Sequence, residues 1–150
     1  MIVENWDHRI SDIAKAISTF IEESDYPIQY SQHNTLMTLQ NIVTDIDSDI
    51  VVDYTNDVLN GFAIVQRTDE YHEEYFGYLN KFYILPEKRI TRAPFRLLGE
   101  CIKWFDKQDC VVSFATATAG IGKDDAFIKL MSRFGYAPTS TGMLTRKQHG

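Results

Sequence analysis

Apolar residues recur at helical spacing over 7–23, where Ile10, Ile13, Ala14, Ile17, Phe20 and Ile21 fall on one stripe. Ser-Asp-Tyr-Pro follows, and Pro27 cannot continue a helix. The spacing returns over 33–47 with Leu36, Leu39, Ile42, Val43 and Ile46, and Asp45, Asp47 and Asp49 mark the exit loop. The pattern then changes. DIVVDYT and VLNGFAIVQR read as two strands joined at Asn56–Asp57, with Asn60–Gly61 as the alternative turn. TDEYHEE is a polar loop, and YFGYLNKFYIL, residues 75–85, is the longest strand, aromatic and β-branched. A helix over 92–107 turns Phe95, Leu98, Cys101, Ile102 and Phe105 inward. VVSFATATA is a strand and GIGK a loop, and Asp124 or Asp125 caps a last helix. Phe127, Ile128, Leu130, Met131 and Phe134 form the inner stripe of that helix, Gly135 its left-handed C-terminal cap, and GMLTRK a final strand.

Strand 75–85, helix 92–107 and strand 111–118 make a βαβ unit, which leaves its two strands parallel. No repeat, linker or low-complexity tract divides the 150 residues, so one α/β domain is expected over 1–150. The apolar and charged fractions, 44% and 24%, suit a globular chain, and no apolar run approaches the roughly 20 residues of a membrane span. The N-terminus lacks the basic start and apolar run of a signal peptide, so the expected location is the cytoplasm, with no membrane partner. Cys101 and Cys110 read as reduced packing residues, and His8, His33, His72 and His149 show no metal-ligand spacing, so no metal is expected.

Charge changes the picture. Residues 1–60 carry eleven carboxylates against two basic side chains, a balance of −9, and residues 61–150 carry +3. An acidic chain lacks the broad basic face of a nucleic-acid binder. Lys88, Arg89, Arg92 and Arg96 gather where the long strand hands over to its helix. A helix N-terminus offers free N–H groups and partial positive charge, so a phosphate-bearing ligand suits that corner; solvated surface charge is the plainer alternative.

The element order, with Ile84-Leu85-Pro86-Glu87-Lys88-Arg89-Ile90-Thr91-Arg92-Ala93-Pro94 and Leu130-Met131-Ser132-Arg133-Phe134-Gly135-Tyr136, resembles the GNAT superfamily of N-acetyltransferases over about residues 50–147. The family's first strand is reduced to Ile2–Val3. The resemblance implies a mixed α/β sheet with helices on both faces: an antiparallel meander, then a βαβ unit whose central strands splay. It implies an acetyl-CoA-dependent N-acyltransferase with acetyl-CoA as cosubstrate, a small-molecule or protein amine as acceptor, and allows a homodimer. Backbone at Phe82, Tyr83 and Ile84 would hold the pantetheine arm and face the thioester oxygen. Arg89 and the N–H groups of Ile90, Thr91, Arg92, Ala93, Pro94 and Phe95 would meet the pyrophosphate, although proline supplies no N–H.

Several positions depart from the pattern. Arg92 and Pro94 stand where the family has glycine and glycine or alanine, and Arg92 and Arg96 are candidates to replace lost N–H contacts by charge-assisted ones. Met131 stands where the family places its acid, a tyrosine; a thiolate leaves without help near neutral pH, so the change slows the reaction rather than forbidding it. Tyr78 stands at a frequent position of the general base, and a phenol is a weak base near pH 7. Glu74 and Asn80, with Glu73 nearby, are the other candidates. The His72 loop could greet a cationic amine, Ser113, Thr116 and Thr118 could line the notch, and a carboxylate at Asp124 would repel phosphate. The competing reading is a catalytically inactive GNAT-fold interaction or assembly module. A third is an unrelated α/β binding domain.

Overall fold

The structure, a computed structural model, describes residues 8–24, 27–116, 124–140 and 143–148. The expected strand at Ile2–Val3, the 117–119 end of the strand after the crossover, the GIGK loop and His149 lie outside them. Two helices, α1 (Arg9–Glu23) and α2 (Gln32–Thr44), precede a hairpin of β1 (Ser48–Thr55) and β2 (Val58–Thr68). Asn56 and Asp57 take φ values of 50° and 62°, so the turn falls there and not at Asn60–Gly61. Two successive left-handed residues match the twist of the flanking strands. Strand β3 (Phe76–Ile84) completes the meander, a 3-10 turn spans Pro86–Lys88, and α3 (Ala93–Lys107) crosses to β4 (Val112–Thr116). Helix α4 (Asp124–Arg133), β5 (Ala137–Ser140) and β6 (Met143–Lys147) finish the chain.

The sheet runs β1-β2-β3-β4-β6-β5, with β3 and β4 parallel and the other pairs antiparallel. Alternation along each strand divides the core in two. On one face, Ile10, Ile13, Leu39, Ile50, Phe62 and Tyr83 pack α1 and α2 onto β1–β3. On the other, Leu97, Leu98, Cys101, Phe105 and Met131 pack α3 and α4 against Val51, Val65, Leu79 and Ala115. Trp104 anchors α3 to the edge strand by donating from Nε1 to Asp49 Oδ2 at 2.6 Å. Gly135, at φ +91°, closes α4: its N–H bonds Ser132 and that of Tyr136 bonds Met131, the paired bonds of a left-handed helix cap.

Three sequence expectations need correction. Ile46 is not on an inner helical stripe but 83% exposed, because α2 stops at Thr44. Asp45 stops it by folding its carboxylate back onto the N–H of Asp47 at 2.9 Å, a local bond that competes with the helix. The inner face of α3 is wider than expected: Leu97 and Trp104 are buried, and Phe95 is half-buried against Phe134. Before the final strand the chain makes a further one, β5, at the sheet edge, where Pro138 is tolerated because no strand lies beyond to need its N–H.

Candidate active site

The long central strand outruns its parallel neighbour. β3 pairs with β4 only at Gly77, Tyr78 and Leu79, opposite Ser113, Phe114 and Ala115, then runs on to Ile84. On its other edge it stays paired to β2 throughout. Where the parallel pairing ends, Asn80 is an extra residue between the pairs Ile64↔Lys81 and Val65↔Leu79. Such a bulge re-aims the side chains that follow it. Phe82 consequently turns toward α4, its ring 5.8 Å from Phe127, and Tyr83 turns to the α1 face. Backbone groups of alternate residues over Asn80–Ile84 are directed away from β2.

Arg89 is not a free anion ligand, as the sequence reading had it. Its guanidinium grips Glu23 at the end of α1 with two bonds of 2.6 and 2.8 Å, and its Nε donates to the Ile84 carbonyl at 3.0 Å. The Tyr83 hydroxyl donates to the same carboxylate at 3.0 Å, and the guanidinium lies over the Tyr83 ring. Burial, with the carboxylate beside it, pushes the Tyr83 phenol well above its ordinary range. Glu23 raises the pKa of Arg89 further, through its hydrogen bonds first, so the pair stays charged. Arg96, the other candidate for charge-assisted rescue, forks onto both oxygens of Asp53 at 3.0 Å. Asn60 donates to Asp53 and to Thr55, at 2.8 Å each, within the β1–β2 hairpin, and the Arg96 bonds join that hairpin to the first turn of α3. The acidic first half of the chain thus neutralises part of the basic corner, through Glu23 and Asp53, two residues that no local pattern marks.

Backbone donors at that corner can be counted one by one. The N–H groups of Lys88, Arg89 and Thr91 bond carbonyls within the turn, and Ala93 N–H bonds Thr91 Oγ1. Pro94 has none. Among the described residues the N–H groups of Ile90, Arg92 and Phe95 have no partner, so three donors remain of the stretch 90–95. Arg92 is the residue before the helix, with no side-chain cap, and its side chain, like that of Lys88, makes no ion pair to a described residue. Ile90 is 97% exposed. Two basic side chains and three N–H groups without a partner among the described residues therefore lie at the positive end of α3.

Of the candidate catalytic groups, Tyr78 and Glu74 come together: both line an open cleft of about 700 Å³ with His72, Glu73, Phe76 and Phe114. Asn80 stands apart from it, donating to Gln66 at 2.9 Å. Lys81, which the sequence reading passed over, lies over the Phe20 ring, and desolvation lowers its pKa. Met131 is fully buried in the α3/α4 core, so no acid acts from that position. Ser113 does not line a notch. It is buried at the start of β4, 2.6 Å from the Tyr136 hydroxyl, and accepts from Gln148. Thr116 is exposed at the end of β4, and Thr118 lies outside the described residues.

No protein-family model and no curated protein matches the sequence. Solved structures do match in shape. The aminoglycoside N-acetyltransferase AAC(6')-Iy, bound to a CoA bisubstrate analog, superposes with a TM-score of 0.76 at 12% identity, over 93% of this chain and 90% of that one. A Desulfovibrio desulfuricans protein ascribed to the GNAT family superposes at 0.68 and 14%, over 91% and 92%. The chain has the GNAT fold. A structure of the NatC complex bound to Gag peptide and CoA also contains a chain with this fold, matched at 0.68 and 16% over 97% of this chain and 98% of its own. At these identities the likeness establishes the architecture, and the GNAT assignment of the mixed sheet holds for nearly the whole chain. No described helix is long and apolar enough to cross a membrane.

Proposed function

We propose that the protein is an N-acyltransferase that moves the acetyl group of acetyl-CoA to an amine acceptor. The observation that carries the reading is the stretch of β3 from Asn80 to Ile84 that has left its β4 partner, just before the free N–H groups at the start of α3. An extended pantetheine arm can take strand-like hydrogen bonds from Phe82, Tyr83 and Ile84. Pyrophosphate suits the N–H groups of Ile90, Arg92 and Phe95 and the charges of Arg92 and Lys88. Arg89 contributes by holding the Ile84 carbonyl and the turn, not by meeting phosphate. Fold neighbours solved with CoA or a CoA analog support the donor.

The chemistry asked of the chain is modest. A backbone N–H at the end of β3 stabilises negative charge building on the thioester oxygen. The acceptor nitrogen attacks the carbonyl carbon, the C–N bond forms, and the C–S bond breaks to release thiolate. Glu74, in the cleft with Tyr78 and about 10–13 Å short of the end of β3, takes the ammonium proton through a chain of waters. With Met131 buried, the thiolate takes its proton from solvent.

Thermal unfolding with and without millimolar acetyl-CoA tests the donor. A ligand at one hundred times its Kd stabilises by about 2.7 kcal/mol, a rise of about 5–10 °C for a chain of this length. Arg92→Ala weakens acetyl-CoA binding and Arg96→Ala does not. Thiol release in the presence of primary amines tests transfer, and Glu74→Gln lowers kcat/KM about 100-fold while leaving the thermal shift intact. No shift and no thiol release would leave a GNAT scaffold without a donor site.

A further inference from the structure

The cleft beside β3 has chemistry of its own. Its floor is an aromatic cluster: Phe76, Tyr78 and Phe114 meet at centroid distances of 5.5–5.9 Å, and the His72 ring stands edge-on to Phe76 at 5.1 Å. Tyr78 is 38% exposed, so this aromatic surface reaches water. Two carboxylates of the loop after β2, Glu73 and Glu74, line the cleft, and Asp69 and Glu70 precede them in the same loop. The basic residue that precedes the loop, Arg67, is turned away, donating to Asp47 at 3.0 Å with its guanidinium over Tyr75, and Lys81, which follows, lies over the Phe20 ring. Lys147 sits opposite Val112 on the neighbouring strand pair, exposed and outside the cleft lining. Tyr71, in the same lining, takes φ +67° and is 94% exposed.

Aromatic faces and carboxylates together select one class of ligand. A cation within about 6 Å of a ring is drawn to its face, carboxylates add charge complementarity, and both disfavour an anion. A volume of about 700 Å³ lies in the range of sites that hold small molecules. We propose that this cleft binds a cationic organic group, an ammonium or guanidinium on an apolar body. It rests on the acyl-transfer reading for the source of that cation, which is the remote end of the acceptor. Four residues of strand separate Tyr78 from Phe82, about 10–13 Å at 3.3 Å per residue with the bulge between them. The acceptor is therefore elongated, with its reacting nitrogen at the end of β3 and a second positive centre about that far away.

The probe is 1,8-diaminooctane, with 1,8-octanediol as its uncharged counterpart, titrated into the full chain without donor and followed by amide NMR. The diammonium shifts the signals of Glu73, Tyr78 and Phe114 saturably, and the diol does not. Glu73→Gln and Phe114→Leu each weaken binding about threefold, and together about tenfold. Equal binding of the diol, or unchanged affinity in both variants, overturns the proposal. Acetyl-CoA titrated into the same proteins separates the two readings. Donor binding without a cleft response to the diammonium removes the cation site alone. A cleft response without donor binding removes acyl transfer and leaves the cation site standing.

Discussion

Replacing Arg89 by alanine should destabilise the protein through a contact made far away in sequence. The change removes a bidentate bond to Glu23, the Nε bond to the Ile84 carbonyl and the cation over the Tyr83 ring. Exposed ion pairs contribute about 0–1 kcal/mol, and losing one partner of a fully buried pair costs about 3–5 kcal/mol. The Arg89 and Glu23 side chains keep 26% and 19% of their exposure, so the cost lies between, about 2 kcal/mol. For 150 residues that lowers Tm by about 4–8 °C. Urea denaturation of wild type, Arg89→Ala, Glu23→Gln and the double variant gives the coupling, expected at about 1–2 kcal/mol. A functional readout distinguishes positioning from direct contact. If Arg89 acts through the Ile84 backbone, affinity falls alike for acetyl-CoA and for acetyl-pantetheine, which has no nucleotide. A loss below 0.5 kcal/mol with additive single changes, or a loss for acetyl-CoA alone, would falsify this assignment and give Arg89 back to the phosphate (thresholds of about the size that exposed pairs set).

Two further outcomes follow from buried groups. Burial raises the Tyr136 phenol to about 12, against an ordinary value near 10. Its proton is retained in both states below pH 10, where its contribution is complete; from pH 10 to 12 the unfolded chain loses the proton first, so stability falls as pH rises. The loss is about 3 kcal/mol across that window, and urea midpoints of wild type should drop more steeply than those of Tyr136→Phe; parallel curves refute it. Gly61→Ala places a methyl 2.5 Å from the Tyr83 carbonyl oxygen, a backbone atom that cannot step aside without moving β3. It should cost about 3 kcal/mol or more by denaturation and weaken acetyl-CoA binding in proportion, whereas an unchanged Kd would show that the β3 terminus is not the donor site.

The sequence by itself determined the elements. Helical spacing over Ile10–Phe20 and Leu36–Val43, short apolar runs on either side of Asn56–Asp57, and Gly135 after an apolar stripe are local patterns, and local sterics and hydrogen bonds decide them. Hence hairpin, crossover unit and helix cap were all legible, and with them the GNAT-like order. Ile46 misled because an aspartate's bond to its own backbone outweighed a matching apolar position. The short edge strand Ala137–Ser140 carries too few residues for any period. What only the tertiary structure decided is where charges end. Arg89 and Arg96 read as phosphate ligands because their partners, Glu23 and Asp53, stand 66 and 43 residues away. The gathering of Tyr78, Glu74, His72 and Phe114 into one cleft likewise depends on strand pairing between distant segments. Periodicity records which side of an element is apolar; a salt bridge or a cleft exists only once separate elements have met, and no local pattern encodes that meeting.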